Sequence, residues 1–197
     1  MSTSYTDLQL DALRELANIG SGTAATALSQ MLGHPVDVSV PNVMALPLAD
    51  AVDAAGPADS TVTAVLLPII GDIEAIVLLL VPPVDAQTIC GLLGVDADSE
   101  VGLSCLSEIG NILGCAYVGA FGAMASLELE PRPPETISDM LGAVVSTVLA
   151  AGAEETDTAL LLDSKLLVED VECSMSFMLV PSRDGISDVL SRLGLAA

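Results

Sequence analysis

The chain of 197 residues has no tryptophan, two tyrosines, two phenylalanines, one histidine and one lysine. Each shortage removes a class of function. Tyr5, Tyr117, Phe121 and Phe177 are too few to form a base-stacking platform. Five basic residues against 27 acids leave a formal charge of −22, the wrong sign for a nucleic-acid backbone, so no nucleic-acid partner is expected. With His34 as the only histidine, no His-dependent triad can be assembled. The four cysteines lack C-x-x-C spacing, so no zinc site is expected either, and Cys90, Cys105, Cys115 and Cys173 read as buried free thiols. The N-terminus lacks a charged leader followed by an apolar core, which points to a cytoplasmic protein.

What the chain has in quantity is apolar residues, at 52%, and carboxylates. The first are ample for a core. The second repel one another in dilute buffer, whereas the Debye length falls to about 3 Å in molar salt, so this charge balance points to the salt-rich cytoplasm of a halophile. The apolar run 62–81 carries Asp72 and Glu74 near its middle, which is costly at bilayer depth. An antiparallel hairpin of 61–70 and 75–81 is expected in its place, with no membrane insertion. Pro68 cannot donate to a strand ladder, so the first strand is expected to lie at an edge there or to finish by Leu67.

The strongest signal is a repeat. Asp11-Ala-Leu-Arg-Glu15-Leu-Ala-Asn18-Ile-Gly-Ser-Gly22 returns as Ser104-Cys-Leu-Ser-Glu108-Ile-Gly-Asn111-Ile-Leu-Gly114, with Glu and Asn 93 positions on. At about 100° per residue, Asp11, Glu15, Asn18 and Gly22 share one narrow face, and Leu13, Leu16, Ala17, Ala24, Ala27 and Leu28 spread over the other. Further matches follow: 61–67 with 156–162, Val81-Pro82 with Val180-Pro181, and Leu93-Gly94 with Leu193-Gly194. Offsets that drift from 93 to 100 are what duplication with loop insertions leaves. Helices are expected over 6–31, 48–55, 85–93, 101–125 and 137–151, and strands over 36–45 and 127–130 beside the hairpin. Gly20 and Gly22 inside the first helix cost about 1 kcal/mol each relative to Ala, which suggests close packing against them. Two thin halves, about 6–95 and 98–195, are expected to merge into one α+β domain with pseudo-twofold symmetry.

A polar stripe on one helix is ordinarily a solvated face. Its return with Glu and Asn at the same spacing argues for use, because solvation alone has no preference for the middling helix former Asn. Gly20-Ser21-Gly22-Thr23 does not make a nucleotide-binding turn, because these glycines lie within a helix and follow no strand.

The paired patterns D-x3-E-x2-N and S-x3-E-x2-N, each on the opening helix of a half, resemble the two active-site signatures of the CheC family of chemotaxis phosphatases. The flanking segments 18–29 and 108–117 extend the likeness, which covers essentially the whole chain. That resemblance implies a central antiparallel sheet with two long motif-bearing helices exposed on one side. It implies dephosphorylation of a phosphorylated CheY-type response regulator and, in many members, association with the receptor deamidase CheD. It assigns functional roles to Glu15, Asn18, Glu108 and Asn111, with no cofactor or metal in this chain and Mg2+ supplied by the regulator. On this reading an Asn orients the attacking water and a Glu docks to the regulator. A non-catalytic adaptor that binds a response regulator or CheD is the alternative. The copies differ four residues beyond the Asn, where Gly22 stands in the first and Cys115 in the second.

Overall fold

The computed structural model describes residues 5–39, 42–150, 158–168, 171–182 and 185–195. Among them, two runs of seven elements follow in the same order. The first is α1 (Asp7–Leu32), β1 (Val36–Val38), β2 (Asn42–Pro47), α2 (Leu48–Ala55), β3 (Thr61–Gly71), β4 (Ala75–Val81) and α3 (Pro83–Leu92). The second is α4 (Glu100–Ala125), β5 (Leu129–Pro131), β6 (Glu135–Met140), α5 (Leu141–Ala150), β7 (Thr158–Val168), β8 (Val171–Pro181) and α6 (Gly185–Arg192).

All eight strands join one antiparallel sheet in the order β1-β7-β8-β4-β3-β5, with β2 also on β7 and β6 also on β3. Exchanging each strand for its counterpart in the other run reads the same order backwards. The short strands of each run therefore lie on the long strand of the other, and neither run completes a sheet alone. Successive strand residues face opposite sides. Val65, Leu67, Val77, Leu79, Leu160, Leu162 and Phe177 form one core with α1 and α4. Ala64, Leu66, Leu78, Leu80, Leu161 and Met178 form another with Leu141, Val144 and Val148 of α5. Cover on both faces is why these strands are almost continuously apolar. The run 62–81 is the β3–β4 hairpin, paired from Thr63↔Val81 to Ile69↔Ala75.

α4 is long and apolar enough by length and composition to cross a membrane, but half of that stretch is buried within the protein. Gly110 and Gly114 bring it down onto Val65 and Leu67 of β3.

Three expectations need correction. The segment 36–45 is two strands, because Val38 pairs with Leu166 while Asn42 pairs with Asp163, four steps against three. Such an extra residue interrupts a ladder as a bulge does. The same slip separates β5 from β6, since Ile69 pairs with Pro131 and Leu66 with Glu135. Second, the helix expected over 137–151 begins as strand β6 and turns helical at Leu141, and residue 151 lies outside the described residues. Third, Pro68 neither ends β3 nor lies at an edge. Its carbonyl accepts from the Arg132 N–H at 2.8 Å, on the side where β5 gives way to β6. The N and C=O of an extended residue point the same way, so the missing donor faces that slip and not the β4 ladder.

Candidate functional site

Both motif helices start from a capped, matching position. The Thr6 hydroxyl accepts from the Gln9 N–H and the Ser99 hydroxyl from the Gly102 N–H, with Asp7 and Glu100 in the first turns. Thr6 and Ser99 are also 93 apart, so the cap fixes each helix nine residues before its Glu. Sequence reasoning passed over this pair, although the offset already contained it.

On α1, Asp11, Glu15, Asn18 and Gly22 are all exposed, while Leu13, Leu16, Ala17, Ala24 and Leu28 are buried. On α4, Ser104, Glu108 and Cys115 are exposed and Asn111 is half-buried. Cys115 thus departs from the expectation of a buried thiol, because it lies seven residues from Glu108 on the same helical face. Cys90, Cys105 and Cys173 are buried as expected, and burial pushes the Cys90 thiol up to about 12.

The helices meet at Gly20. A Cβ there would lie 2.5 Å from Cδ1 and 2.9 Å from Cα of Tyr117, so only glycine admits the α4 backbone this closely. Gly22 differs from expectation, since nothing lies within 4 Å of its Cβ position. The Tyr117 hydroxyl shares hydrogen bonds with Ser21 at 3.0 Å and Ser164 at 3.4 Å, and its ring lies 4.5 Å from that of Phe177. Tyr117 therefore ties α1, α4 and β7 together beneath the stripes, a role that no local sequence pattern signals.

The start of α1 and the end of α4 are held by the same segment. The Gln9 amide donates to the Leu195 carbonyl at 2.9 Å and Arg192 donates to the Ser126 carbonyl at 3.0 Å. The helices are accordingly antiparallel. Asn18 lies two residues before the Gly20 crossing and Asn111 six before Tyr117, which at 1.5 Å per residue adds to about 12 Å along the axes. With about 8–10 Å between packed helix axes, the asparagines stand about 15 Å apart. The structure keeps each Glu with its own Asn and does not bring the two pairs together.

The surroundings are negative. Arg14, next to Glu15 in sequence, is paired with Asp11. The other described cations are paired too: Arg132 with Glu130, Lys165 with Glu172 and Arg192 with Asp72. Among the described residues no group of three metal-ligating side chains is assembled. The two asparagines differ in their own contacts. The Cys115 thiol donates to Asn111 Oδ1 at 3.5 Å, and partial burial, then the Glu108 carboxylate, holds that thiol above its usual range. Among the described residues nothing bonds the Asn18 amide, and Gly22 has no side chain to do so.

Comparison with known proteins matches residues 8–45 to the CheC-like family. The chain is 32% identical to the CheY-P phosphatase CheC of Bacillus subtilis (strain 168), in an alignment covering 94% of each. This chain belongs to the CheC-like family. Among solved structures, the CheC-like fold seen here resembles FliY of Thermotoga maritima with a TM-score of 0.78 at 16% identity, over 98% of each chain. It also resembles a chain of the CheX-CheY-BeF3-Mg2+ complex of Borrelia burgdorferi, with a TM-score of 0.52 at 14% identity, over 84% of this chain and 97% of that one. At such identities these two likenesses concern the fold alone.

Proposed function

We propose that this CheC-like chain hydrolyses the aspartyl phosphate of a CheY-type response regulator, with Asn18 and Asn111 each placing the attacking water and Glu15 and Glu108 docking the regulator. The 32% identity to a CheY-P phosphatase supports the class of activity. The observation that carries the residue roles is the make-up of the stripes: each presents a carboxamide and a carboxylate three residues apart, with no unpaired cation among the described residues. Phosphoryl transfer needs a nucleophile in line and charge neutralised on the phosphoryl oxygens. An amide, which both donates and accepts, holds a water well, and nothing on these stripes serves the second need.

The regulator then brings its aspartyl phosphate, Mg2+ and a lysine. The water oxygen bonds to phosphorus as the bond from phosphorus to the aspartyl oxygen breaks, which releases a carboxylate and inorganic phosphate. The proton leaves the attacking water for solvent. A carboxylate aimed at the phosphoryl group would repel it, so Glu15 and Glu108, about one turn from each Asn, are assigned to the regulator's lysine. We read the chain as one domain of two repeats, about 6–95 and 98–195, with one site on each.

The lifetime of regulator phosphate in Mg2+, with and without the protein, tests this reading. A shortened lifetime is expected, and Glu15→Gln with Glu108→Gln should raise the regulator concentration at half-maximal rate while the rate at saturation holds. Binding without any shortening would favour an adaptor for a response regulator or CheD.

A further inference from the structure

Each stripe carries one group to which the proposed chemistry gives no task. Leu8 is 65% exposed and Val101 63% exposed, and these two large apolar side chains are again 93 residues apart. A single exposed leucine on a protein surface needs no explanation. Two at matching positions, each two residues after a helix cap, are a different matter. Leu8 precedes Glu15 by seven residues and Val101 precedes Glu108 by seven, so each lies within about 20° of its Glu on the same helical face. The stripe is therefore longer than its polar part, and its outer end is apolar.

We propose that Leu8 and Val101 are apolar anchors for the same response regulator that each stripe engages, set about 10 Å outward from the docking glutamate at 1.5 Å per residue. This rests on the proposed function for the identity of the occupant. A regulator domain of about 100 residues has a radius of gyration of about 13 Å, so a domain centred over Asn18 reaches Leu8, about 15 Å along the helix. The direction matters as well. The asparagines stand close to the crossing of α1 and α4, whereas the antiparallel helices put Leu8 and Val101 at opposite ends, about 40 Å apart. A domain leaning inward over one Asn would cover the other stripe. Leaning outward, it meets the anchor and leaves the other stripe open. The carboxylates Asp7, Asp11 and Glu15, or Glu100 and Glu108, interleave with the anchor, so the complementary surface is a basic residue with an apolar patch about 10 Å away.

The test is calorimetric titration with a cognate CheY-type regulator activated by beryllofluoride and Mg2+, which reads binding without turnover. Leu8→Ser with Val101→Ser should weaken binding about ten-fold at each stripe, the order expected for one apolar side chain left in water. Leu8→Met with Val101→Ile should restore it. The melting midpoint should not move, since both side chains are exposed, and the rate of phosphate loss at saturating regulator should stay within about two-fold. Unchanged affinity in the serine variant overturns the anchor while leaving the phosphatase reading intact. Weakened binding in the serine variant, where the wild type itself binds the regulator but gives no turnover, upholds the anchor and removes the phosphatase reading. Loss of concentration-dependent self-association in the variant, with regulator affinity unchanged, assigns these residues to a second copy of the chain and overturns the proposal.

Discussion

Asn18 and Asn111 hold the same place on two copies of one helix, yet the protein supports them differently. Asn18 is exposed, no hydrogen bond reaches its amide among the described residues, and Gly22 leaves open space one turn on. Asn111 is half-buried and its carbonyl oxygen accepts from Cys115. The helices beneath differ as well: α4 lies on β3 through Gly110 and Gly114, where α1 has Ala17 and Ser21 and instead takes Tyr117 of α4 against Gly20. A duplicated motif has thus kept its polar groups while its packing diverged. On the proposed function the external groups answer to a partner, whereas the internal ones answer only to their neighbours.

The largest expected effect comes from the two α1 glycines, which sit two residues apart in opposite surroundings. Gly20→Ala drives a Cβ into the Tyr117 backbone and should lower the unfolding free energy by about 1–3 kcal/mol. Gly22→Ala meets nothing and should raise it by up to about 1 kcal/mol through helix propensity. Urea unfolding midpoints with unchanged slopes check both. Equal destabilisation by the two would mean that the face around Asn18 is not open, and the contrast between the stripes would fail.

A smaller effect is expected at the second stripe. Cys115 is exposed while the other three thiols are buried, so a maleimide should label Cys115 alone in the folded protein. The label should reduce phosphatase rate to that of Asn111→Ala, and Cys115→Ser should be immune. Labelled protein with full activity would show that the second stripe takes no part in turnover. Smallest of all is exchange of the differing residue. A thiol hydrogen bond at 3.5 Å is weak, so Cys115→Gly should shift the second site's rate by less than about 1 kcal/mol, or roughly five-fold. Gly22→Cys, which adds the bond that Cys115→Gly removes, should move the first site in the opposite sense, measured in an Asn111→Ala background.

The local parts of this architecture were legible in the residues. The period of α1 and α4 placed their buried and exposed faces, and the charges within 62–81 identified the β3–β4 hairpin. What was not legible depends on distant pairing. Residues 137–140 join a run of apolar residues that continues as α5, and only the ladder from Thr61↔Met140 to Leu66↔Glu135 makes them strand. Pro68 is tolerated because a register slip on the neighbouring strands coincides with it, which no single segment encodes. The exposure of Cys115 did follow from its phase relative to Glu108, but the usual burial of free thiols outweighed that phase. The roles proposed for Glu15, Asn18, Glu108 and Asn111 rest on the family pattern; three of these side chains are exposed and that of Asn111 is half-buried.

The central claim is that two water-placing sites work independently, about 15 Å apart on antiparallel helices. The lifetime of phosphate on a cognate response regulator, in Mg2+, tests it most directly when Asn18→Ala, Asn111→Ala and the double variant are compared with the wild type. Each single variant should keep partial activity, unequally, and the double variant should still bind the beryllofluoride-activated regulator while losing about 2 kcal/mol or more of transition-state stabilisation. A double variant as active as the wild type would contradict any catalytic role for the asparagines, and complete loss in either single variant would contradict their independence.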